Sequence, residues 1–318
     1  MTRRLLQSLL VLAVVLALNF ILFRIMPGDP VASIVDPRFS PEAKAALRAQ
    51  YGLDRPMPEQ FLLYLEQMTT FRFGVSFLTG RPVIEELASR LPNTVALLAT
   101  SLALSAALGI WLGIRAAARR GSWVEKFVLL SGAVTFSFPS FFVQLVLLMV
   151  FAVFWPIFPL RGTVSIPPMQ GIAGILDYAR HLALPVISLV ILGFGGWALY
   201  VRNLMVKTLS EDFILLARAR GLTSKRILWG HAFRTVLPPI LTVLLLSLPG
   251  IVSGAVITET VFSLHGVGRF LLDSVSGHDY PAAGAAFYIL ALLTVGCNIL
   301  ADVLYRVVDP RVRAVGRS

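Results

Sequence analysis

Six uncharged, mainly apolar stretches divide the chain: Leu5–Phe23, Leu91–Ile114, Phe127–Trp155, Leu182–Val201, Pro239–Thr258 and Tyr280–Ala301. A helix needs about 20 apolar residues to cross roughly 30 Å of hydrocarbon. Each stretch meets that length, which predicts an all-α polytopic membrane protein with six transmembrane helices. Composition agrees, since 57% of the residues are hydrophobic and 14% charged, against about a quarter charged in a soluble domain. Arg3 and Arg4 precede the first stretch as they would in a signal peptide. Its apolar core exceeds the usual 7 to 15 residues or so and no small-x-small cleavage site follows, so an uncleaved span is expected. The lone Cys297 excludes an intrachain disulfide, and the four scattered histidines lack metal-ligand spacing.

Charge sets the expected orientation. With the N-terminus inside, the cytoplasmic segments hold 17 Lys and Arg residues, and the two short outer loops hold three, Arg161, Arg180 and Arg269. Basic residues concentrate on the cytoplasmic side of membrane proteins, so both termini are expected there. The net charge of +11 is read as this bias and not as a nucleic-acid footprint. The segment from Arg24 to Arg90 carries eight basic and eight acidic residues, but a loop longer than about 60 residues is exempt from the rule. Within it, Ser40-Pro41-Glu42, Pro58-Glu59 and Pro82 resemble helix starts. Phe61, Leu62, Leu65 and Met68 recur at helical spacing. This external segment is either a docking cap or a structural linker.

Between the fourth and fifth stretches lies a polar insertion, Arg202–Pro238, with seven basic residues against Glu211 and Asp212. Thr223 or Ser224 is expected to cap a short helix running through Lys225 to Phe233, with Gly221 permitting the turn before it and Pro238-Pro239 ending it. Such a loop presents a docking surface or lies against anionic lipid.

The spans hold no ionisable residue near their midplanes; Glu259 and Asp302 sit close to the ends. Ion-coupled carriers commonly mark their pathway with such groups, so their absence speaks against secondary transport. No G-x-x-x-x-G-K-[ST] loop occurs, so any ATP-driven transport needs a separate ATPase. Ser263, His265 and Asp273 invite comparison with a hydrolase, but no G-x-S-x-G elbow supports one. A channel lined by rings of polar residues is not displayed either. The pairs Gly109/Gly113 and Gly250/Gly254 fit G-x-x-x-G and serve packing within the chain or a subunit interface.

The fragment Asp212-Phe213-Ile214-Leu215-Leu216-Ala217-Arg218-Ala219-Arg220-Gly221-Leu222, followed by Leu237-Pro238, resembles the coupling loop of ABC importer permeases in their peptide/nickel, dipeptide and oligopeptide permease B-type form. Collinear fragments extend the likeness over nearly the whole chain. They are Arg24-Ile25-Met26-Pro27-Gly28-Asp29-Pro30, Tyr51-Gly52-Leu53-Asp54-Arg55-Pro56, Phe73-Gly74-Val75-Ser76, Ser137-Phe138-Pro139-Ser140-Phe141-Phe142, Glu259-Thr260-Val261-Phe262-Ser263-Leu264, Gly266-Val267-Gly268-Arg269, Asp279-Tyr280-Pro281 and Asp309-Pro310-Arg311-Val312-Arg313. Leu215 stands where the wider family begins Glu-Ala-Ala, and His265 stands where proline is common.

The resemblance implies a type I ABC importer permease fold in a bacterial inner membrane. Residues 1–23 form a tail and span 1, 24–90 the external segment, 91–306 the permease core with coupling loop 202–238, and 307–318 a tail. The implied partners are a homologous second permease, two ATPase subunits, an external solute-binding protein and the lipid bilayer. The chain itself is then a non-catalytic subunit without cofactor, and ATP and Mg sit on the ATPases. Coupling falls to Asp212, Ala217, Arg218, Ala219, Arg220, Gly221, Leu222, Thr223, Ser224 and Lys225. The pathway is expected at the interface with the second permease, near Phe136, Phe138, Pro139, Phe142, Pro249 and Ser253. Di- or oligopeptides are the default solute, with nickel chelates, glutathione or another small solute as alternatives, and a secondary carrier behind these.

Overall fold

A computed structural model describes residues 2–25, 42, 48–49 and 54–308, with side chains left undescribed at 2–5, 23–25, 134, 136, 248–254 and 305–308. Helix α1 spans Thr2–Ile25, α2 Met57–Thr69, α3 Val83–Ala118 and α4 Trp123–Ser137. Helix α5, Ser140–Leu148, widens into a π-helical stretch over Met149–Phe154. Helix α6 spans Gly171–Thr208 and α7 Asp212–Ala219. Helix α8 runs from Ser224–Arg226 through a π-helical stretch, Ile227–Ala232, into Phe233–Val261. Helices α9, Val267–Ser276, and α10, Tyr280–Val308, complete the described chain. Among the described residues, extended pairing is confined to an isolated bridge between Val75 and Pro82.

Among the described residues, four helical stretches are long and apolar enough to cross a membrane: Val83–Ala118, Gly171–Thr208, Ser224–Ser247 and Tyr280–Leu304. The part of α1 with described side chains, Leu6–Leu22, is mainly apolar, and Ser140–Phe154 is a shorter apolar helix. Five of the six uncharged stretches of the sequence are helical throughout, the third is broken, and the entry to the fifth differs from expectation.

The stretch Phe127–Trp155 is not one helix. It leaves helical geometry at Phe138 (φ −110°, ψ 137°) and Pro139 (φ −59°, ψ 133°) and re-enters at Ser140. The proline ring pushes the preceding residue into extended geometry, and Pro139 then opens the next helix, where a missing N–H costs nothing. The second difference is at Pro238-Pro239, where the expected helix end does not occur and α8 passes straight through. Val236 and Ile240, on either side of the prolines, are buried in one apolar cluster, and the Thr242 hydroxyl donates to the Pro238 carbonyl at 3.0 Å. Packing of both flanks holds the helix together through two residues that carry no backbone donor.

Helices α3 and α6 also outrun their uncharged cores, at 36 and 38 residues. At 1.5 Å per residue these are about 54 and 57 Å long, well beyond the ~30 Å of hydrocarbon. Charge marks where the apolar environment ends, not where the helix must.

The chain forms two compact units, Met1–Thr94 with Ala255–Gly296, and Val95–Gly254 with Cys297–Ser318. In the first, Asn19 is buried in the apolar face of α1 and donates to the Tyr64 hydroxyl of α2 at 2.8 Å and to the Gly284 carbonyl of α10 at 3.0 Å. The Phe20 ring meets Phe61 and Tyr64 at 5.2 and 5.6 Å. A buried amide satisfied by two helices fixes their register on α1. In the same unit the carboxylate of Asp279 accepts from the Ser76 hydroxyl and from the Leu78 amide, which ties the turn before α3 to the start of α10.

The second unit is closed by small-residue seams. A Cβ at Gly113 would lie 2.6 Å from the Ala198 carbonyl oxygen and 2.9 Å from the Val201 Cβ, and one at Gly109 would lie 2.8 Å from the Phe194 carbonyl oxygen. Gly109/Gly113 thus serve close approach of α3 to α6 within the chain. Across the other side of α6, a Cβ at Gly195 would lie 2.5 Å from the Ser131 carbonyl oxygen of α4. In hydrocarbon, helix association rests on such contacts, because lipid tails are as apolar as leucine. Gly113→Val is expected to destabilise the solubilised protein by about 1–3 kcal/mol through overpacking. Gly296→Ala, whose Cβ meets nothing within 4 Å, is expected to leave it unchanged; thermal unfolding in detergent reads both.

Candidate functional site

The polar insertion folds as a sharp corner between α6 and α8. Helix α7 starts after Glu211, with Asp212 in its first turn, where an acid meets the positive end of the helix dipole. It ends in a left-handed turn. The Gly221 amide donates to the Arg218 carbonyl at 2.9 Å and the Leu222 amide to the Ala217 carbonyl at 3.3 Å, with Gly221 at φ +72°. This is the paired hydrogen-bond pattern that closes a helix through a glycine, with Leu222 folding back onto the apolar side. Thr223 then caps the next helix, its hydroxyl accepting from the Arg226 amide at 3.4 Å. Such a cap contributes about 1 kcal/mol.

One side of the corner is anchored and the other is open. Ile214, Ala217 and Ile227 are buried together with Ile114 of α3 and Val201 and Met205 of α6. Ile214 is 0% exposed, and burying such a side chain contributes about 1.5–3 kcal/mol. The opposite side presents Phe213, Leu215, Leu216 and Trp229 as exposed apolar groups. Arg218, Ala219, Arg220, Gly221, Thr223, Ser224 and Lys225 are exposed around them. A Cβ at Gly221 would meet nothing within 4 Å, so the fold needs glycine there for its dihedral angles alone. Of the ten residues expected to act in coupling, Ala217 is buried as an anchor, Leu222 is half-buried, and the other eight lie on the open side.

The entry to the corner is held by an ion pair that spacing in the sequence does not reveal. The Arg202 Nε donates to Glu125 Oε1 at 3.1 Å, and its Nη2 contacts the same oxygen. Glu125 Oε2 accepts from the Gly121 amide at 2.6 Å. The Arg202 guanidinium, and after it the Gly121 amide, hold the Glu125 carboxyl below the usual range for a glutamate. The pair ties α6, nearly two turns before its end at Thr208, to the start of α4.

Phe138, Pro139 and Phe142 gather at the break between α4 and α5, where Phe138 and Phe142 are exposed. The side chains of Phe136, Pro249 and Ser253 lie outside the described residues, as do Met26–Pro30, Tyr51–Leu53 and the Asp309–Arg313 fragment. A further polar site, at Glu259, is the end of a helix turned into a socket. Its carboxylate accepts from Thr94 Oγ1 at 2.6 Å and from the Arg269 amide at 3.0 Å, and the Val267 amide donates to Thr94 Oγ1 at 2.9 Å. A Cβ at Gly268 would come within 3.0 Å of the carboxylate, and one at Gly266 would overlap it. The Gly266-x-Gly268 spacing after a lone glutamate is the sequence signal for it. Among the described residues no cluster of His, Cys, Asp and Glu is arranged to hold a metal ion.

Comparison with known proteins places these features in a family. Residues 109–314 match the family described as binding-protein-dependent transport system inner membrane component, and residues 1–98 match that family's N-terminal component. The chain is 34% identical, over 98% of both chains, to the probable peptide ABC transporter permease protein y4tP of Sinorhizobium fredii. It is 33% identical, again over 98% of both, to the oligopeptide transport system permease protein AppB of Bacillus subtilis. Over 93% of both chains it is 33% identical to the dipeptide transport system permease protein DppB of Escherichia coli.

The ion pair yields a pH test. A carboxyl whose pKa is depressed in the folded state contributes stability above the unfolded value and loses it as pH falls through the folded one. Glu125→Gln is therefore expected to lower the thermal unfolding temperature at pH 7. The gap to the parent protein is expected to close as pH drops below the ordinary glutamate value of about 4.3.

Proposed function

Because the chain belongs to the family of binding-protein-dependent transport system inner membrane components and so is a multi-pass permease subunit of an ABC importer, we propose that it carries di- or oligopeptides and relays ATPase motion through the Asp212–Lys225 corner. Its partners in this reading are a homologous second permease, two ATPase subunits that bind ATP and Mg, and an external binding protein that delivers the peptide. Each permease forms half of the pathway, with the broken region at Phe138–Phe142, Phe136, Pro249 and Ser253 as candidate lining. Both termini and the corner face the cytoplasm, as the distribution of basic residues favours.

The observation that carries the proposal is the two-sided construction of the corner. A surface that receives force from a separate ATPase has to be open to that partner and stiff toward the helices it moves. Exposed Leu215, Leu216, Arg218 and Arg220 meet the first requirement, and buried Ile214, Ala217 and Ile227 meet the second. Arginine and the exposed aromatics Phe213 and Trp229 are also residue types enriched at protein interfaces. The peptide assignment draws support from the relatives, the oligopeptide transport system permease protein AppB and the dipeptide transport system permease protein DppB among them.

Gly221→Val tests the relay. A β-branched residue at φ +72° costs about 1–3 kcal/mol of strain and reshapes the turn without touching the anchor. In proteoliposomes holding both permeases and the ATPases, the variant is expected to assemble normally and to lose ATP hydrolysis stimulated by peptide-loaded binding protein. Normal stimulation would remove the corner from the mechanism.

A further inference from the structure

The segment between the third and fourth uncharged stretches is polar by position and apolar by surface. Trp155, Ile166, Met169, Ile172, Ile175 and Leu176 are 63%, 96%, 54%, 78%, 69% and 65% exposed. Ile172, Ile175 and Leu176 recur at helical spacing on one face of the first turns of α6. The segment is also held in shape. Asp177, on the other face of α6, accepts from the Ser165 amide at 2.7 Å and the Ser165 hydroxyl at 2.6 Å. Arg180 Nη2 donates to the Ile157 carbonyl at 2.9 Å. Apolar groups kept outward by an internal polar clasp are not a loose loop that collapses on itself.

Charge indicates what covers them. Asp177 is the only acid from Trp155 to His181, and it is buried in the clasp. The exposed ionic groups are Arg161 and Arg180. Trp155 closes one uncharged stretch and Leu182 opens the next. Leu176 thus stands about 9 Å along the helix from Leu182, a distance comparable to the thickness of the headgroup layer. A cationic rim, an aromatic residue at the membrane edge and an outward apolar face are the features of an element lying in the bilayer interface.

We propose that Trp155–Arg180 is a membrane-interface element, with Arg161 and Arg180 engaging anionic lipid headgroups and Ile166, Met169, Ile172, Ile175 and Leu176 facing the headgroup layer above the acyl chains. The seat holds the top of α6 at a fixed depth while its other end turns into the corner.

An environment-sensitive dye at Ile166→Cys or Ile172→Cys, each on a Cys297→Ser background in the assembled complex in nanodiscs, tests this. Both positions are expected to lose emission to lipids carrying a nitroxide near the top of the chain and to resist aqueous iodide. Quenching by iodide alone would place the segment in water, and resistance to both quenchers would place it against another protein; either overturns the proposal. Nitroxide-labelled phosphatidylglycerol is expected to quench more strongly than the phosphatidylcholine analogue, and R161Q, which leaves the Arg180–Ile157 clasp intact, to weaken the difference. Equal quenching in the parent protein would overturn the anionic headgroup site. Ile166 is the more exposed position, so it carries the test if the Ile172 variant fails to assemble.

Discussion

The apolar cluster that joins Ile114 of α3, Val201 and Met205 of α6, Ile214 and Ala217 of α7 and Val236 and Ile240 of α8 is the constraint on which the corner depends. It lies at the ends of long helices, where membrane packing gives way to water. There burial again drives association, at about 25 cal/mol per Å² of apolar area. Helix α7 has eight residues, too few to be helical alone in water. Its shape is therefore set by this cluster at one side, by the glycine turn at its end and by the Thr223 cap beyond it. Remove the cluster and the corner has no reason to hold its angle.

Within the bundle a different economy applies. Apolar side chains gain little by leaving lipid, so the helices meet through backbone contact at Gly109, Gly113 and Gly195 and through buried amides such as Asn19. Polar groups near the ends of helices are satisfied in the same way. Glu259 is surrounded by donors from α9 and Thr94, and its space exists because Gly266 and Gly268 lack side chains. A corner anchored to α3, α6 and α8 is thus attached to helices that are already closely packed.

Much of this was legible in the sequence, for identifiable reasons. Span positions follow from length and apolarity, and the turn at Gly221 follows from a glycine between a helical pattern and a capping threonine. The break at Phe138-Pro139 was signalled by proline but masked by the unbroken apolar run around it. Pro238-Pro239 misled in the opposite direction. A proline pair breaks a solvated helix, whereas here buried Val236 and Ile240 hold both flanks. Glu125 and Arg202 are 77 residues apart, and no local pattern pairs them. The lining of the pathway stays outside such reading, because helical faces are oriented by tertiary packing and half of the pathway belongs to a second subunit in the proposed assembly.

In the proposed function, the open side of the corner is the surface on which the ATPase acts. A photo-crosslinking residue at Leu216, which is 53% exposed there, tests it in the assembled transporter, with Leu246 of α8, 66% exposed, as the reference. An ATPase adduct is expected from Leu216, with a yield that changes on ATP binding, and none from Leu246. No adduct from Leu216 in a complex that hydrolyses ATP, or equal adducts from both positions, would contradict it.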